Sequence, residues 1–241
     1  MKKPSVPSAQ HLARNWQPTV KQTFDALIRL ADHPPPFSYT RLLPLIQGLV
    51  VLRTPLDQLT DAIRRSVAKE SVRDNFVELL SLIHTEFERR EIEFAQPVAG
   101  RQYPVSRELI IPFVPPLVYG AKGQLVFPWF SLWRFNPLEG ERLSLFVTLV
   151  YEMLMQDPDL ENARFEIWDL SAPKFGAPRE LRVTDARDIP LLPDLRKAEM
   201  LSVFIDAFRF AREHIASRPA PTPEQPRGGL PPSDQSDDLF R

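Results

Sequence analysis

Two acidic residues, Asp169 and Glu152, are the candidates for acid–base or metal chemistry. Asp169 ends a short apolar segment, Arg164 to Leu170, in which strand alternation places it on the face of Phe165 and Ile167. A carboxylate that points inward must find hydrogen bonds or a cation to offset its desolvation. The residues that follow are typical of a turn, and an aspartate before a turn commonly caps it. We favour the capping role for Asp169 and expect no catalytic residue.

A second candidate site is the aromatic face of a long predicted strand, Gln124 to Phe135. Counting by twos places Trp129 and Trp133 on the same side of this strand. Aromatic side chains on one side can stack on bases or line a peptide groove. Base stacking usually comes with interleaved lysine and arginine, and only Arg134 is available here. Trp129 and Trp133 are therefore candidate partner-binding residues, and a strand buried between two layers is the alternative that we favour.

The last residues of the sequence follow the pattern of a short docking peptide. Asp237 and Asp238 precede Leu239 and Phe240, so the acids could face a basic rim while the apolar pair fills a pocket. The stretch before them is rich in proline and lacks periodicity, which predicts a disordered tether. We expect these four residues to contact a partner protein, and an inert tail is the alternative.

Composition excludes several other kinds of chemistry. The chain has no cysteine, so it has no disulfide, thiolate metal site or cysteine nucleophile. Its four histidines are isolated, and only His84 has an acid, Glu88, at helical spacing. The eight glycines form no phosphate-binding loop. We therefore expect no metal and no cofactor.

Charge and hydropathy bear on partners and location. The 30 basic and 31 acidic residues nearly cancel, which gives no support to phosphate-backbone binding, although nucleic acid stays open as a partner. No apolar stretch reaches the roughly 20 residues that span a bilayer, and the first residues lack the apolar core of a signal peptide. We expect a cytoplasmic protein that binds another protein, with no membrane partner.

The elements that would position these residues fall into three zones. Residues 1–94 are predicted to be a helical region, residues 95–216 an α+β domain and residues 217–241 a disordered, proline-rich tail. The clearest helix has one apolar stripe, formed by Val72, Phe76, Leu79, Leu80, Ile83 and Phe87. Many of the 26 prolines mark element ends. The predicted fold is α+β, with the helical region packed on a small mixed sheet that is flanked by helices.

From residue 72 to 183 the predicted order is helix, three strands, helix and strand, then a further strand and helix. This order is similar to the core of the PD-(D/E)XK nuclease superfamily, in its RecB-like and Cas4-like members. The resemblance implies a metal held by an Asp on one central strand and by a Glu-x-Lys on the next. The corresponding positions read Ser131-Leu132-Trp133, and no acidic residue occurs from Leu109 to Leu138. The resemblance therefore implies a nuclease-type core that lacks its catalytic residues.

These features favour a non-catalytic accessory or adaptor protein that acts through protein–protein interaction. The alternative is a degenerate nuclease-like factor in DNA replication, repair or defence, in which Asp169 and Glu152 would be the acids. The sequence leaves open whether the chain is an enzyme, and it favours a protein that is not an enzyme.

Overall fold

The computed structural model describes residues 6–35, 38–160 and 162–218 of the 241-residue chain. These residues form an α+β protein, as the sequence predicts. The predicted tail lies outside the described residues from position 219 on, and so do its four candidate docking residues.

Helices and strands alternate irregularly along the chain. The helices are α1 (Ala9–Asn15), α2 (Val20–Asp32), α3 (Leu43–Val50), α4 (Leu56–Ser66), α5 (Glu70–Glu88), α6 (Gly140–Met155) and α7 (Asp194–Ser217). The strands are β1 (Phe94–Gln96), β2 (Arg101–Pro104), β3 (Ile110–Phe113), β4 (Val118–Ala121), β5 (Gln124–Ser131), β6 (Arg164–Asp169) and β7 (Arg182–Asp185). None of the described helices is long and apolar enough to span a bilayer.

Five of the strands form a mixed sheet in the order β1-β4-β5-β6-β7, and β2 and β3 form a separate two-stranded sheet. Strands β5 and β6 run parallel, with Val126 opposite Arg164 and Ser131 opposite Asp169. The other neighbouring strands are antiparallel. A parallel pair needs a long crossover, and α6 provides it between β5 and β6. The sheet is therefore mixed, as expected.

The turn between β4 and β5 shows how local sequence sets the sheet. Lys122 and Gly123 both have positive φ, 52° and 69°, and they join Ala121 to Gln124 as a two-residue loop. Positive φ at both central residues matches the right-handed twist of a hairpin, and glycine adopts it at little cost.

The described residues divide into two compact units. The first contains α1, α2, α7 and residues 104–112. Within it α2 and α7 pack together, with the Phe24 and His214 rings 5.7 Å apart and an ion pair between Asp32 and Arg218. The second unit contains α3 to α6 and the five-stranded sheet. Three helices of the predicted helical region thus share a unit with the sheet.

The core of the second unit has two faces because helices cover both sides of the sheet. On one face Phe146 of α6 packs against Trp129 of β5, with ring centroids 4.5 Å apart. On the other face Phe87 of α5 packs against Trp168 of β6 at 4.7 Å. All six residues of the predicted α5 stripe are buried. Because both faces are covered, the central strands β5 and β6 are buried on both sides.

The predicted strand from Gln124 to Phe135 is wrong in length, because β5 ends at Ser131. Beyond it the chain turns towards the segment after β6, where the Ala172 backbone N–H donates to the Arg134 carbonyl at 2.9 Å. The Asn136 side chain then accepts the Leu138 N–H at 3.0 Å, which forms a turn typical of asparagine. The aromatic alternation past Ser131 therefore does not continue as a strand face.

Candidate functional site

Asp169 lies at the last position of β6 and caps the turn that follows. Its Oδ1 accepts the Ser171 backbone N–H at 3.0 Å, and its Oδ2 accepts the Asn136 amide at 3.2 Å. A carboxylate held in this way stabilises the end of a strand. The contacts of Asp169 are those of the capping role that the sequence analysis favoured.

Glu152 lies on α6 and accepts the Tyr103 hydroxyl at 2.6 Å. Among the described residues no three histidine, cysteine, aspartate or glutamate side chains converge so as to hold a metal ion. The two acids considered in the sequence therefore belong to different local contacts.

The aromatic strand face is a packing surface. Trp129 is 5% exposed because α6 covers it, so its ring is not presented to a partner. Trp133 lies beyond the strand end and is half-buried, with its ring 5.8 Å from that of Trp129 in an edge-on arrangement. The other predicted docking residues, Asp237, Asp238, Leu239 and Phe240, lie outside the described part of the chain.

The sheet instead has a buried carboxylate at its centre, Glu166 of β6, which is 1% exposed. Its Oε2 accepts hydrogen bonds from the Tyr119 hydroxyl at 3.0 Å and from the Trp168 indole at 2.9 Å. The same oxygen lies 2.8 Å from the Arg90 guanidinium. These residues are the Glu166 cluster. Because Arg90 follows α5 and the other three lie on β4 and β6, the cluster joins helix to sheet.

Arg90 is the cation at the centre of the Glu166 cluster. Besides Glu166 it binds Glu86, with its Nε and Nη2 2.9 and 2.8 Å from one Glu86 oxygen. It also donates to the Tyr119 hydroxyl. Its guanidinium carbon lies 4.8 Å from the centre of the Trp168 ring, at cation–π distance. Arg90 is therefore neutralised by two carboxylates and packed on an aromatic face.

A second arginine, Arg164, extends the charges towards the sheet edge. Its Nε lies 3.3 Å from the other Glu166 oxygen and 2.8 Å from an Asp185 oxygen. Burial would raise the pKa of Asp185, but hydrogen bonds from Arg187 and the charges of Arg187 and Arg164 hold it below its ordinary value. Both oxygens of Glu166 thus have a cationic partner.

The Glu166 cluster also shifts the protonation of its own members. Burial raises the pKa of Tyr119 well above its ordinary value, and the Glu166 carboxylate raises it further. Burial would lower the pKa of Arg90, but Tyr119, Glu166 and Glu86 outweigh it and raise the value. The phenol therefore stays protonated and the guanidinium stays charged at neutral pH. Neither group is poised to exchange a proton there.

A polar cavity of about 470 Å³ opens beside Arg90. Residues that line it include Arg53, Thr54, His84, Phe87, Glu88 and Arg90. His84 and Glu88, the pair noted in the sequence, lie 3.7 Å apart at its wall. Arg53 has a positive φ of 52° at the turn between α3 and α4. Because Arg90 is already bound to two carboxylates, the cavity contains one cation without an acidic partner among the described residues, Arg53.

Arg179 is a second buried charge, in the loop between β6 and β7. Its side chain is 1% exposed, and its guanidinium donates five hydrogen bonds. The acceptors are the Asn75 side chain at 2.8 and 3.1 Å, the Leu170 and Trp133 carbonyls at 2.7 and 3.0 Å, and the Tyr39 hydroxyl at 3.0 Å. Arginine has five N–H donors, so all of them are used. The nearest carboxylate, Glu78, lies 3.8 Å from Nε.

Neither buried charge, Glu166 nor Arg179, was predicted from the sequence, although the residues around Glu166 indicate that it is buried. Glu166 stands in a strand with Phe165 and Ile167 on one face and Trp168 on its own face. A strand with large apolar residues on both faces is buried on both, which would have placed the Glu166 carboxylate inside. Arg179 left no such signal, because nothing in its local sequence distinguishes a buried arginine from an exposed one.

No known protein-family model matches the sequence, and no curated protein shows significant similarity to it. What the molecule does must therefore be inferred from its side-chain contacts.

Proposed function

We propose that this chain is a non-catalytic accessory or adaptor protein that acts by binding another protein. Its sheet would be a nuclease-type core that serves as a scaffold. The observation that carries the proposal is the engagement of Glu166, the one buried carboxylate among the described residues of the sheet, by Arg90 and Arg164.

The engagement of Glu166 matters because metal-dependent hydrolysis needs carboxylates that are free to bind a cation and to orient a water. The Glu166 carboxylate is already paired with two guanidinium groups, and it also accepts hydrogen bonds from the Tyr119 hydroxyl and the Trp168 indole. Ser131 and Leu132, two of the positions that correspond to the Glu-x-Lys motif, are buried and carry no carboxylate. This chemistry favours a structural role for the centre of the sheet.

Element order supports the proposed nuclease-like core. From α5 the strands of the five-stranded sheet come in the order β1, β4 and β5, and then follow α6, β6, β7 and α7. The sequence predicted the three strands after α5 at residues 109–113, 117–119 and 124–135, and the first of these is β3, which pairs with β2 outside the five-stranded sheet. The strand next to β4 is instead β1. The resemblance concerns arrangement and not motif.

The proposed binding role needs a surface, and the tip of the chain is the first candidate. Leu239 and Phe240 supply an apolar pair, and Asp237 and Asp238 supply negative charge. Because Trp129 is covered by α6, the aromatic strand contributes little exposed area to a partner. We therefore assign partner contact to the tip residues in preference to the strand face.

Quantitative capture from the native cells tests the binding role. The tagged full chain should recover a partner that an empty tag does not, and the purified pair should elute as one complex of defined mass. A chain that ends at Ser217 should lose that partner, whereas the matched variant Asp234→Asn should keep it. Partner sets identical to those of the empty tag would refute the function, and retention by the shortened chain would refute only the role of the tip.

The second candidate function is a degenerate nuclease-like factor in DNA replication, repair or defence, favoured by the element order alone. It predicts metal-dependent cleavage that disappears in Asp169→Ala and Glu152→Ala. The test uses Mg²⁺ and Mn²⁺ with single- and double-stranded DNA. Cleavage that survives in both variants, or no cleavage by the parent chain, would count against this candidate.

A further inference from the structure

The loop between β6 and β7, residues 170–181, is named the Phe175 loop here. Its base is buried, with Leu170, Ser171, Ala172 and Arg179 in the interior. The Glu180 backbone N–H donates to the Ser171 carbonyl at 3.1 Å, so the two ends of the loop are joined. At the other end, the Phe175 side chain is 92% exposed. The loop thus combines a packed base with a large apolar side chain in solvent.

The tip of the Phe175 loop is a defined turn. The Ala177 N–H donates to the Lys174 carbonyl at 3.2 Å, and Gly176 has a φ of 79°. A four-residue turn with positive φ at its third residue favours glycine there. Phe175 is the second residue of this turn. The exposed Phe175 therefore lies on a turn of defined backbone conformation.

Two arginines hold the loop in this conformation. Arg179 uses all five donors, on Asn75 of α5, on the Tyr39 hydroxyl before α3, on the segment after β5 and on the loop itself. Arg134 donates to the Ala177 carbonyl at 2.7 Å, next to the tip. A loop whose backbone is held in place before binding loses less conformational entropy when a partner covers it. The loop is therefore pre-organised for contact.

The exposed cation at the tip is Lys174, which has no ion pair with any residue that the structure describes. Arg134 and Arg182 lie farther away along the chain, and each is in a long ion pair, with Glu78 at 3.7 Å and with Glu180 at 3.8 Å. Lys174 is therefore the charge of the tip that is left for a partner. A partner surface with carboxylates would complement this charge.

The geometry points to the Phe175 loop as a docking knob that inserts Phe175 into an apolar pocket of a partner protein with an acidic rim. This inference rests on the proposed protein-binding function, and it adds to the C-terminal residues a second contact surface and the chemistry of the partner that would cover it. Aromatic residues at the centre of an interface, surrounded by charged residues, commonly carry much of the binding energy. Phe175, with Lys174 beside it, has this arrangement before any partner is present.

A photo-crosslinking phenylalanine analogue placed at position 175 of the full chain, in its native cells, tests the inference. The expected product is one protein crosslinked at position 175 but not at position 52, where Leu52 is 74% exposed. With that purified protein, Phe175→Ala should weaken binding by about 30-fold or more, as a hot spot does. Lys174→Glu should weaken it by about 5-fold, with a slower association rate. Leu52→Ala is the matched control and should change the affinity by less than about 2-fold.

Several outcomes would overturn the inference. They are no crosslinked protein at position 175, a crosslink to a second copy of this chain, binding of Phe175→Ala within about 2-fold of the parent, or co-flotation with anionic vesicles that Phe175→Ala abolishes. If the captured partner binds Phe175→Ala and the parent equally, the protein-binding function stands and only the docking knob fails. If the chain captures no partner at all, the function itself fails.

Discussion

Glu166 and Arg179 are both buried charges of the second unit, but their surroundings differ. The Glu166 carboxylate lies between two guanidinium groups, Arg90 and Arg164. The Arg179 guanidinium is surrounded by neutral oxygens, with a carboxylate only at 3.8 Å. One buried charge is neutralised by opposite charge, and the other is solvated by dipoles. The comparison shows two ways of placing an ion inside a protein.

The two arrangements do different structural work. An ion pair attracts from any direction, so the Glu166 cluster suits the attachment of a helix end to a strand. The planar guanidinium of Arg179 fixes five directions at once, so it specifies the conformation of an irregular loop. We infer that the first sets the packing of α5 on the sheet and the second sets the shape of the Phe175 loop.

The largest effect is expected when Glu166 is removed. Glu166→Ala leaves Arg90 and Arg164 without their shared carboxylate and leaves the Trp168 indole without its acceptor. Losing one partner of a buried pair usually costs several kcal/mol, and because Arg90 keeps Glu86 we expect about 3 to 4 kcal/mol of lost unfolding free energy. Urea unfolding of parent and variant measures it.

Glu166→Gln is the control, because it keeps one oxygen acceptor for Arg90, Tyr119 and Trp168 but removes the charge. Its cost should be clearly smaller than that of Glu166→Ala. If Glu166→Ala lowers the free energy of unfolding by less than about 1 kcal/mol, the cluster stabilises the fold no more than a surface ion pair does.

The next effect comes from Arg179. Arg179→Ala removes five hydrogen bonds and leaves two buried carbonyls, of Leu170 and Trp133, without this donor. Water can replace part of the loss, so we expect about 2 to 3 kcal/mol, again by urea unfolding. Hydrogen exchange should also increase in residues 170–181. Arg179→Lys should recover little, because an ammonium group cannot reach acceptors in five directions. Full recovery by lysine would show that charge, and not geometry, holds the loop.

A smaller effect tests the hydroxyl of the Glu166 cluster. Tyr119→Phe removes the hydrogen bond to Glu166 and the acceptor of the Arg90 guanidinium, but both cations keep their carboxylates, so we expect a loss of about 1 kcal/mol at neutral pH. A loss above about 3 kcal/mol would place the hydroxyl, and not Arg90, at the centre of the cluster.

The same residue predicts a dependence on alkaline pH. Because the pKa of Tyr119 is raised in the folded state, the folded chain holds this proton after the unfolded chain has released it. The contribution to stability is complete below the ordinary tyrosine pKa of about 10 and declines as pH rises through the folded value. Unfolding free energies from pH 8 to about 11 should fall less steeply in Tyr119→Phe than in the parent. Equal slopes would contradict the raised pKa.

Much of the fold was predictable because it depends on local patterns. The α5 stripe is buried at all six predicted positions. The length of β5 was not predictable, because the aromatic alternation continues past Ser131 although the strand does not. Beyond the strand end, the hydrogen bond from the Ala172 N–H to the Arg134 carbonyl joins residues far apart in sequence.

The candidate site was harder to predict for a related reason. Glu166 and Arg90 are 76 residues apart, and Arg179 and Asn75 are 104 apart. No helical or strand periodicity links residues at such distances along the chain. Asp169 was a candidate because strand alternation places it on the inward face with Phe165 and Ile167, and its position at the strand end favoured a turn cap. Glu166, which lies three residues earlier, was passed over. The fold decides which of two acids on one strand is buried.

The smallest effect separates these two acids. Asp169→Ala removes the acceptor of the Ser171 N–H and of the Asn136 amide, but Asp169 is half-buried, so water can replace it. We expect a loss of about 0.5 to 1 kcal/mol in urea unfolding, several times less than for Glu166→Ala. Asp169→Asn keeps the Oδ1 acceptor and should cost less still. A loss as large as that of Glu166→Ala would make Asp169 a second structural ion. Unchanged stability combined with loss of a metal-dependent cleavage would instead restore Asp169 as a catalytic acid, because a turn cap affects folding and does not touch the reacting atoms.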